Sequence, residues 1–315
     1  MTRRALVVTT LLISWVAGST VGSILEFPAA NARTAGVVIG KAHGGYTPEP
    51  TGRRTITILA VGSDARPGQN PLRSRADSIH VIFLQPRKGQ AVIVGIPRDS
   101  WVSIPGLGTN KINAAMGSGG PARLVQTIER NFGARIDYWA VTTFWGITRM
   151  VNQVGGLQVR IPFEMHDPYS GSNFHRGLKR LHGSQVLSFA RDRHSVASGD
   201  FGRQENGGRV FESALVQFRK EYRRDPSRLL TWMAAGVRNV DTGLSVDQLV
   251  RLAFTASHLR PARIRNVVLP GGTGSIGGLS VVTLSMSAAR AIFSDAKTDG
   301  ALRPGNVPRS PTGTG

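Results

Sequence analysis

TITILAVG (55–62), DSIHVIFL (77–84) and QAVIVGIP (90–97) are three β-type runs, each rich in β-branched residues and bounded by glycine, proline or charge. Their apolar residues follow one another almost without interruption, which predicts a sheet covered on both faces. Downstream, Pro121 opens the helix-like ARLVQTIERNF (122–132) and DYWAVTTF (137–144) reads as a further strand. GITRMVNQV (146–154) then returns to helical spacing until Gly155-Gly156 stops it. This alternation makes an α/β layered domain.

The second half is read as mostly helical. A short helix is expected over 184–193 and a longer one over 205–222, whose paired glycines blur its start. Two more fit 227–238 and 245–258, the latter capped by Ser245; RIRNVVLPG (263–271) is a strand and 285–297 a last helix. Beyond Asp299 there is too little apolar content to pack, so 299–315 is expected to be a disordered tail.

Before the strands, Arg3-Arg4 precedes ALVVTTLLISWVAGSTVGSIL (5–25), an uncharged run long enough to cross a bilayer as one helix. Arginines ahead of it favour a cytoplasmic N-terminus with the rest of the chain outside. Residues 1–30 are thus a short cytoplasmic start and transmembrane anchor, or a signal peptide, given the small residues of SILEFPAANA (23–32). Residues 31–53, rich in Gly, Pro and Thr, read as a flexible linker, and 54–298 as one domain.

Of the 315 residues 40% are apolar, enough for a sizeable core. The lack of cysteine excludes disulfides, thiolate catalysis and cysteine-held zinc. The +20 net charge asks for an anionic partner without choosing one. No zinc-finger, helix-turn-helix or aromatic-platform pattern points to nucleic acid, and neither a GxxxxGK loop nor HExxH is present. Asp64 and Asp77, in the arginine-rich VGSDARPGQNPLRSRADSIHV (61–81), suggest phosphoryl chemistry: carboxylates take a hard cation while guanidinium groups take the oxyanion.

GSDAR (62–66), SRADSI (74–79), IPRDSWVSIPG (96–106), KINAA (111–115), VNQVGGLQV (151–159), FARDRH (189–194) and GDFGR (199–203) stand in the order and spacing of the LytR-CpsA-Psr family, which the chain resembles from about residue 54 to 220, in its actinobacterial form. The resemblance implies a mixed central sheet sandwiched between helices, a three-layer fold behind an N-terminal transmembrane helix, with the catalytic domain outside the cytoplasmic membrane. It also implies a phosphotransferase that moves a glycopolymer from a polyprenyl-diphosphate carrier to a peptidoglycan hydroxyl, forming a phosphodiester and releasing polyprenyl phosphate. A diphosphate hydrolase or a noncatalytic glycolipid-binding scaffold are the alternatives.

Carried over residue by residue, Asp64 and Asp77 hold Mg²⁺, with Mn²⁺ as the alternative ion. Arg75, Arg98, Lys111, Arg191, Arg193 and Arg203 bind the diphosphate, and Arg98, Asp99 and Asp200 are catalytic, either acid serving as the base. Because Arg191 and Arg193 alternate, they share a side only if the helix over this stretch ends at or before Arg191, and it is expected to end there. Phe83, Trp139, Phe144, Trp145, Phe189 and Phe211 are candidates for a lipid channel, with core packing as the default for each. One departure stands out: QENGGR (204–209) puts Gly207 where the actinobacterial form has glutamine, which leaves Gln204 to substitute or activity reduced.

Overall fold

The computed structural model describes residues 36–43, 49, 52–195, 198–237, 240–242 and 244–313. The expected anchor at 1–30 lies outside them; among the described residues no helix is long and apolar enough to cross a membrane. In chain order come β1 (Val37–Lys41), β2 (Ile56–Ser63), β3 (Ala76–Gln85), β4 (Gln90–Gly95), the hairpin β5 (Trp101–Ile104) and β6 (Gly108–Lys111), α1 (Asn113–Phe132), β7 (Tyr138–Thr143) and α2 (Phe144–Gln153). Then follow β8 (Leu157–Ile161), β9 (Met165–Asp167), β10 (Ser172–Phe174), β11 (Gly177–Leu181), α3 (Gly183–Arg191), α4 (Asp200–Arg224) and α5 (Arg228–Val237). The chain continues through β12 (Val240–Thr242), α6 (Val246–His258), β13 (Ile264–Val268), the hairpin β14 (Gly271–Ile276) and β15 (Leu279–Leu284), and α7 (Met286–Asp299).

Seven of the described strands form one sheet in the order β12-β1-β7-β2-β3-β4-β13. It is mixed: β2 pairs antiparallel with β3 and parallel with β7, and β4 pairs antiparallel with β3 and parallel with β13. Alternation along β3 explains both covered faces. Val81 and Phe83 join Leu124, Ile128 and Phe132 of α1 and Ile292 and Phe293 of α7 on one side. Ile82 and Leu84 face the other way, where Phe211 and Leu215 of α4 and Leu249 and Leu252 of α6 close the layer. A third apolar cluster joins α2, β8 and α3, with Val210 of α4 and Ala235 of α5.

Several local expectations change once packing is seen. Val37–Lys41 lies inside the expected linker, yet its short β-branched run forms β1 between β12 and β7. The tail past Asp299 also differs: Leu302 packs against the first apolar cluster, and Ser310 Oγ and the Thr312 amide donate to the buried Glu205 carboxylate at 2.7 and 3.0 Å, so polar contacts hold the end of a segment with little apolar content. Pro121 restarts a helix that already begins at Asn113, the break being Gly120 at φ 68°. Ser245 caps α6 through a capping box with Gln248, as its position predicts.

Helix α4 starts at Asp200, five residues before the expected start, and runs through Gly207-Gly208. The reason is contact with the sheet. A Cβ on Gly207 would lie 2.7 Å from His80 Cε1 of β3, and one on Gly208 would lie 1.9 Å from Asn266 Oδ1 of β13. Asn266 Nδ2 and His80 Nε2 donate to the carbonyls of Glu205 and Gln204 at 2.8 and 2.9 Å, so the helix backbone itself is bonded to the strands. Close approach therefore outweighs the weak helix propensity of glycine.

Two glycine substitutions separate propensity from packing. Gly117→Ala, on an exposed helical turn of α1 with nothing within 4 Å of the added carbon, should raise stability by about 0.5–1 kcal/mol. Gly208→Ala should lower it by about 1–3 kcal/mol, because Asn266 must move. Urea unfolding midpoints of the two variants should therefore shift in opposite directions.

Candidate functional site

At one end of the sheet the ladder between β2 and β3 is interrupted: Gly62 pairs with Ser78 and Ser63 with Ala76, leaving Asp77 as the extra residue of a bulge. Bulges redirect side chains, and this one sets Asp77 in the wall of a cavity of about 390 Å³. The Asp64 amide donates to the Arg75 carbonyl at 3.2 Å just beyond it, so both sequence-predicted metal acids sit at this end of the same strand pair.

Five predicted residues meet in the cavity wall: Asp77, Arg98, Arg191, Arg193 and Arg203. Arg98, following β4, pairs with Asp77, and its Nε lies 4.0 Å from Asp99 Oδ2. Lys111 Nζ reaches Asp99 Oδ1 at 3.3 Å, so Asp99 and Lys111 join the site through Arg98 without lining the cavity. Asp200 opens α4 and pairs with Arg203 one turn later. Asp64 and Arg75 stand apart from the lining, and Arg75 is exposed.

Electrostatics bind these groups into one unit. Burial works against the Arg98 charge, but Asp77, Asp200 and Asp99 outweigh it and raise its pKa. Arg203 is lowered, first by burial and further by Arg98, with Asp200 opposing. Burial likewise pushes the Asp200 carboxyl up, against the pull of Arg203 and Arg98. Arg98 Nε, Arg203 Nε and both ends of the Gln204 amide are buried without a hydrogen-bond partner among the described residues. The three N–H donors among them, Arg98 Nε, Arg203 Nε and Gln204 Nε2, fit a ligand rich in acceptor oxygens.

The expected helix end holds: α3 stops at Arg191 and Asp192 is extended, so Arg191 and Arg193 both reach the cavity. Between them the Asp192 carboxylate turns inward to Ser172 and Ser195. Of the six aromatic channel candidates, Phe144 and Phe211 line the cavity, with Ile147, Leu187 and Val210. The Arg191 guanidinium lies 5.0 Å from the Phe144 ring centre, a cation–π contact at the junction of polar and apolar walls. Phe83 and Phe189 are fully buried core, whereas Trp139 and Trp145 are absent from the lining.

Gly207 now has a structural reason. The space a side chain would take there is filled by His80, whose Nε2–H donates to the Gln204 carbonyl while Nδ1 accepts from Ser78 Oγ at 3.1 Å. Gln204, one turn before Gly207 and 1% exposed, puts its amide in the cavity wall. Burial holds the His80 imidazole at a pKa of about 4, with the Gln204 carbonyl opposing, so the ring stays neutral.

The sequence reading also passed over Asp167, Tyr169 and His194, which line the same cavity. His194 falls inside the quoted FARDRH, but its partner Asp167 lies well upstream and is the Asp of an Asp-Pro pair, a turn pattern. The two acids expected to hold a divalent cation, Asp64 and Asp77, are an all-oxygen pair, of which only Asp77 lines the cavity. Two acids suit Mg²⁺, which keeps several waters and takes phosphate oxygens. Among the described residues no group of three or more acidic or imidazole side chains is placed to hold a metal ion.

Comparison with known proteins agrees with this architecture. The model of the LytR_cpsA_psr family matches residues 30–298. The chain is 36% identical over 170 residues to the probable cell wall biosynthesis protein LcpB of Corynebacterium glutamicum, covering 50% of this chain and 40% of that one. It is 33% identical over 198 residues to the polyisoprenyl-teichoic acid–peptidoglycan teichoic acid transferase TagU of Bacillus cereus, covering 62% of each. The matched region thus spans about half the length of these curated relatives. Among solved structures, TagT of Bacillus subtilis with bound octaprenyl pyrophosphate superposes with a TM-score of 0.61 at 18% identity, covering 82% of this chain and 94% of that one, a likeness of fold.

Stability against pH tests the buried histidine. The unfolded chain takes up a proton at His80 near pH 6.5 and the folded chain only near pH 4, so stability should fall by up to about 3 kcal/mol as pH drops through that window. In His80→Met this part of the slope should vanish, which denaturant melts of both chains at pH 7, 5.5 and 4 will measure.

Proposed function

The chain belongs to the LytR_cpsA_psr family, and on that premise we propose that it moves a glycopolymer from a polyprenyl-diphosphate carrier to a peptidoglycan hydroxyl, leaving a phosphodiester and releasing polyprenyl phosphate. One observation carries this reading: arginines from three separate stretches, Arg98, Arg191, Arg193 and Arg203, share a cavity with the apolar wall of Phe144, Ile147, Leu187 and Phe211. That pairing matches a ligand with a multiply charged head and a hydrocarbon tail. The names of TagU and of lipid-bound TagT support the same substrate class. The LcpB match supports the actinobacterial form of the family.

In this proposal the guanidinium groups grip the diphosphate oxygens two at a time and offset the charge that moves as the P–O–P bond breaks. Arg98, backed by Asp77, is the central one. Asp64 and Asp77 would hold Mg²⁺ beside the diphosphate, where the ion adds charge neutralisation when bound. Gln204 supplies a neutral hydrogen-bond group to the same oxygens. Residues 5–25 anchor the chain in the cytoplasmic membrane with its N-terminus inside, so that the site faces the outer side, where peptidoglycan lies.

The full chain in detergent, given a synthetic polyprenyl-diphosphate disaccharide, Mg²⁺ and a muropeptide, should form a phosphodiester adduct detectable by mass spectrometry. Release of free sugar phosphate alone would replace ligation by hydrolysis, and lipid binding without turnover would make the protein a scaffold. Arg98→Ala and Asp77→Ala should each abolish the adduct while shifting unfolding free energy by no more than about 1–2 kcal/mol.

A further inference from the structure

Behind the arginines lies a second polar device that the phosphate reading leaves unused. Asp167 closes β9 and is 1% exposed, and its carboxylate has three donors: the Tyr169 amide at 2.9 Å, the Arg193 amide at 3.4 Å and His194 Nδ1 at 3.0 Å. Burial alone would raise its pKa, but these hydrogen bonds outweigh burial and hold the carboxyl well below the usual range. An ionised carboxylate only accepts, so the proton of a neutral imidazole must sit on Nδ1 and the lone pair on Nε2.

The ring is also fixed in place. Asp192 is fully buried and bonds Ser172 of β10 and both the amide and hydroxyl of Ser195, pinning the residues on either side of His194 to the β9–β10 hairpin. The Tyr169 ring lies 4.8 Å from the imidazole, centre to centre. The His194 side chain remains 45% exposed, and the residue is part of the cavity lining with Arg191, Arg193 and Arg203. By contrast, Asp99 is held by Lys111 and Asp200 by Arg203.

We propose that His194, oriented by Asp167, accepts the proton of the acceptor hydroxyl. This rests on the phosphotransfer reading above and names its base. The hydroxyl oxygen forms a bond to the sugar-linked phosphorus while its proton moves to Nε2. The bond from that phosphorus to the bridging oxygen breaks, and its electron pair leaves with the polyprenyl phosphate. The imidazolium, held beside the Asp167 carboxylate, then returns its proton to solvent. The groups that bear on its titration are Asp167 and Tyr169 from the hairpin, Asp192 and Arg193 from its own segment, Arg191 from α3, and Asp77, Arg98 and Arg203 in the remaining walls.

The test is ligation by the full chain in detergent, with the lipid-diphosphate disaccharide and muropeptide as probes, over a range of pH. His194→Gln should lower kcat by about 100- to 10,000-fold, leave KM for the lipid donor nearly unchanged and remove the acidic limb of the kcat profile. Asp167→Asn should lose much of the same rate with the site otherwise assembled, because the wrong imidazole tautomer becomes available. A ¹⁵N spectrum of the parent should show the His194 proton on Nδ1, a readout independent of turnover. A parent that forms no phosphodiester overturns the phosphotransfer reading and this inference with it. A parent that ligates overturns the inference alone if His194→Gln keeps the acidic limb, if its defect lies in KM, or if the proton is found on Nε2.

Discussion

Half-buried Arg98 sits among Asp77, Asp99 and Asp200, and the geometry of the site depends on keeping that guanidinium charged and in place. A buried cation is tolerable only beside negative charge. Each of its carboxylates comes from a different device: Asp77 from a bulge in β3, Asp99 from the turn after β4, Asp200 from the start of α4. Lys111 and Arg203 bring further positive charge to the same carboxylates, and among the described residues no ion pair ties Arg191 or Arg193 to a carboxylate. In the lining four arginines thus face two carboxylates, Asp77 and Asp167, an excess of positive charge that suits the anionic head group proposed above.

The strands were legible because their apolar runs are local. Ile56–Ser63, Ala76–Gln85 and Gln90–Gly95 fall where composition places them. What escaped the sequence was set by remote contact. β1 hides in a glycine-rich stretch and earns its pairing only because β7 and β12 flank it, and the tail is held by Glu205, a carboxylate more than a hundred residues away. The site shows the same division. Arginines in short motifs were nameable one by one, and the α3 terminus at Arg191 followed from their alternation. The bond between Asp167 and His194 had no local signature, since nothing in HDPYS announces a buried carboxylate.

The glycine at 207 illustrates why a departure from a family pattern needs its neighbours before it is judged. Read alone, it is a lost amide and a weakened helix. In the structure it is the complement of His80: the ring takes the volume, its neutral Nε2–H bonds the Gln204 carbonyl, and that bond holds the turn that carries the Gln204 side chain. Loss of one glutamine thus coincides with another set in the cavity wall, and the helix remains continuous because its backbone is bonded to the sheet.

Helix α4 explains how a polar head site and an apolar wall come to be contiguous. Asp200, Arg203, Gln204, Gly207, Val210 and Phe211 recur at three- and four-residue intervals, the spacing that stacks side chains along one face. Along that face the chemistry passes from ion pair to amide to bare backbone to hydrocarbon within about 16 Å, at 1.5 Å per residue. Such a gradient is not that of a solvated surface, which would favour charge, and it turns to core packing only at its apolar end, where Val210 and Phe211 join the apolar clusters. It suits a face laid against the amphiphilic substrate proposed above. At Gly207, in the middle, the His80 ring of β3 fills the space a side chain would take, so the position that lets the helix lie on the sheet also separates the two ends of the gradient.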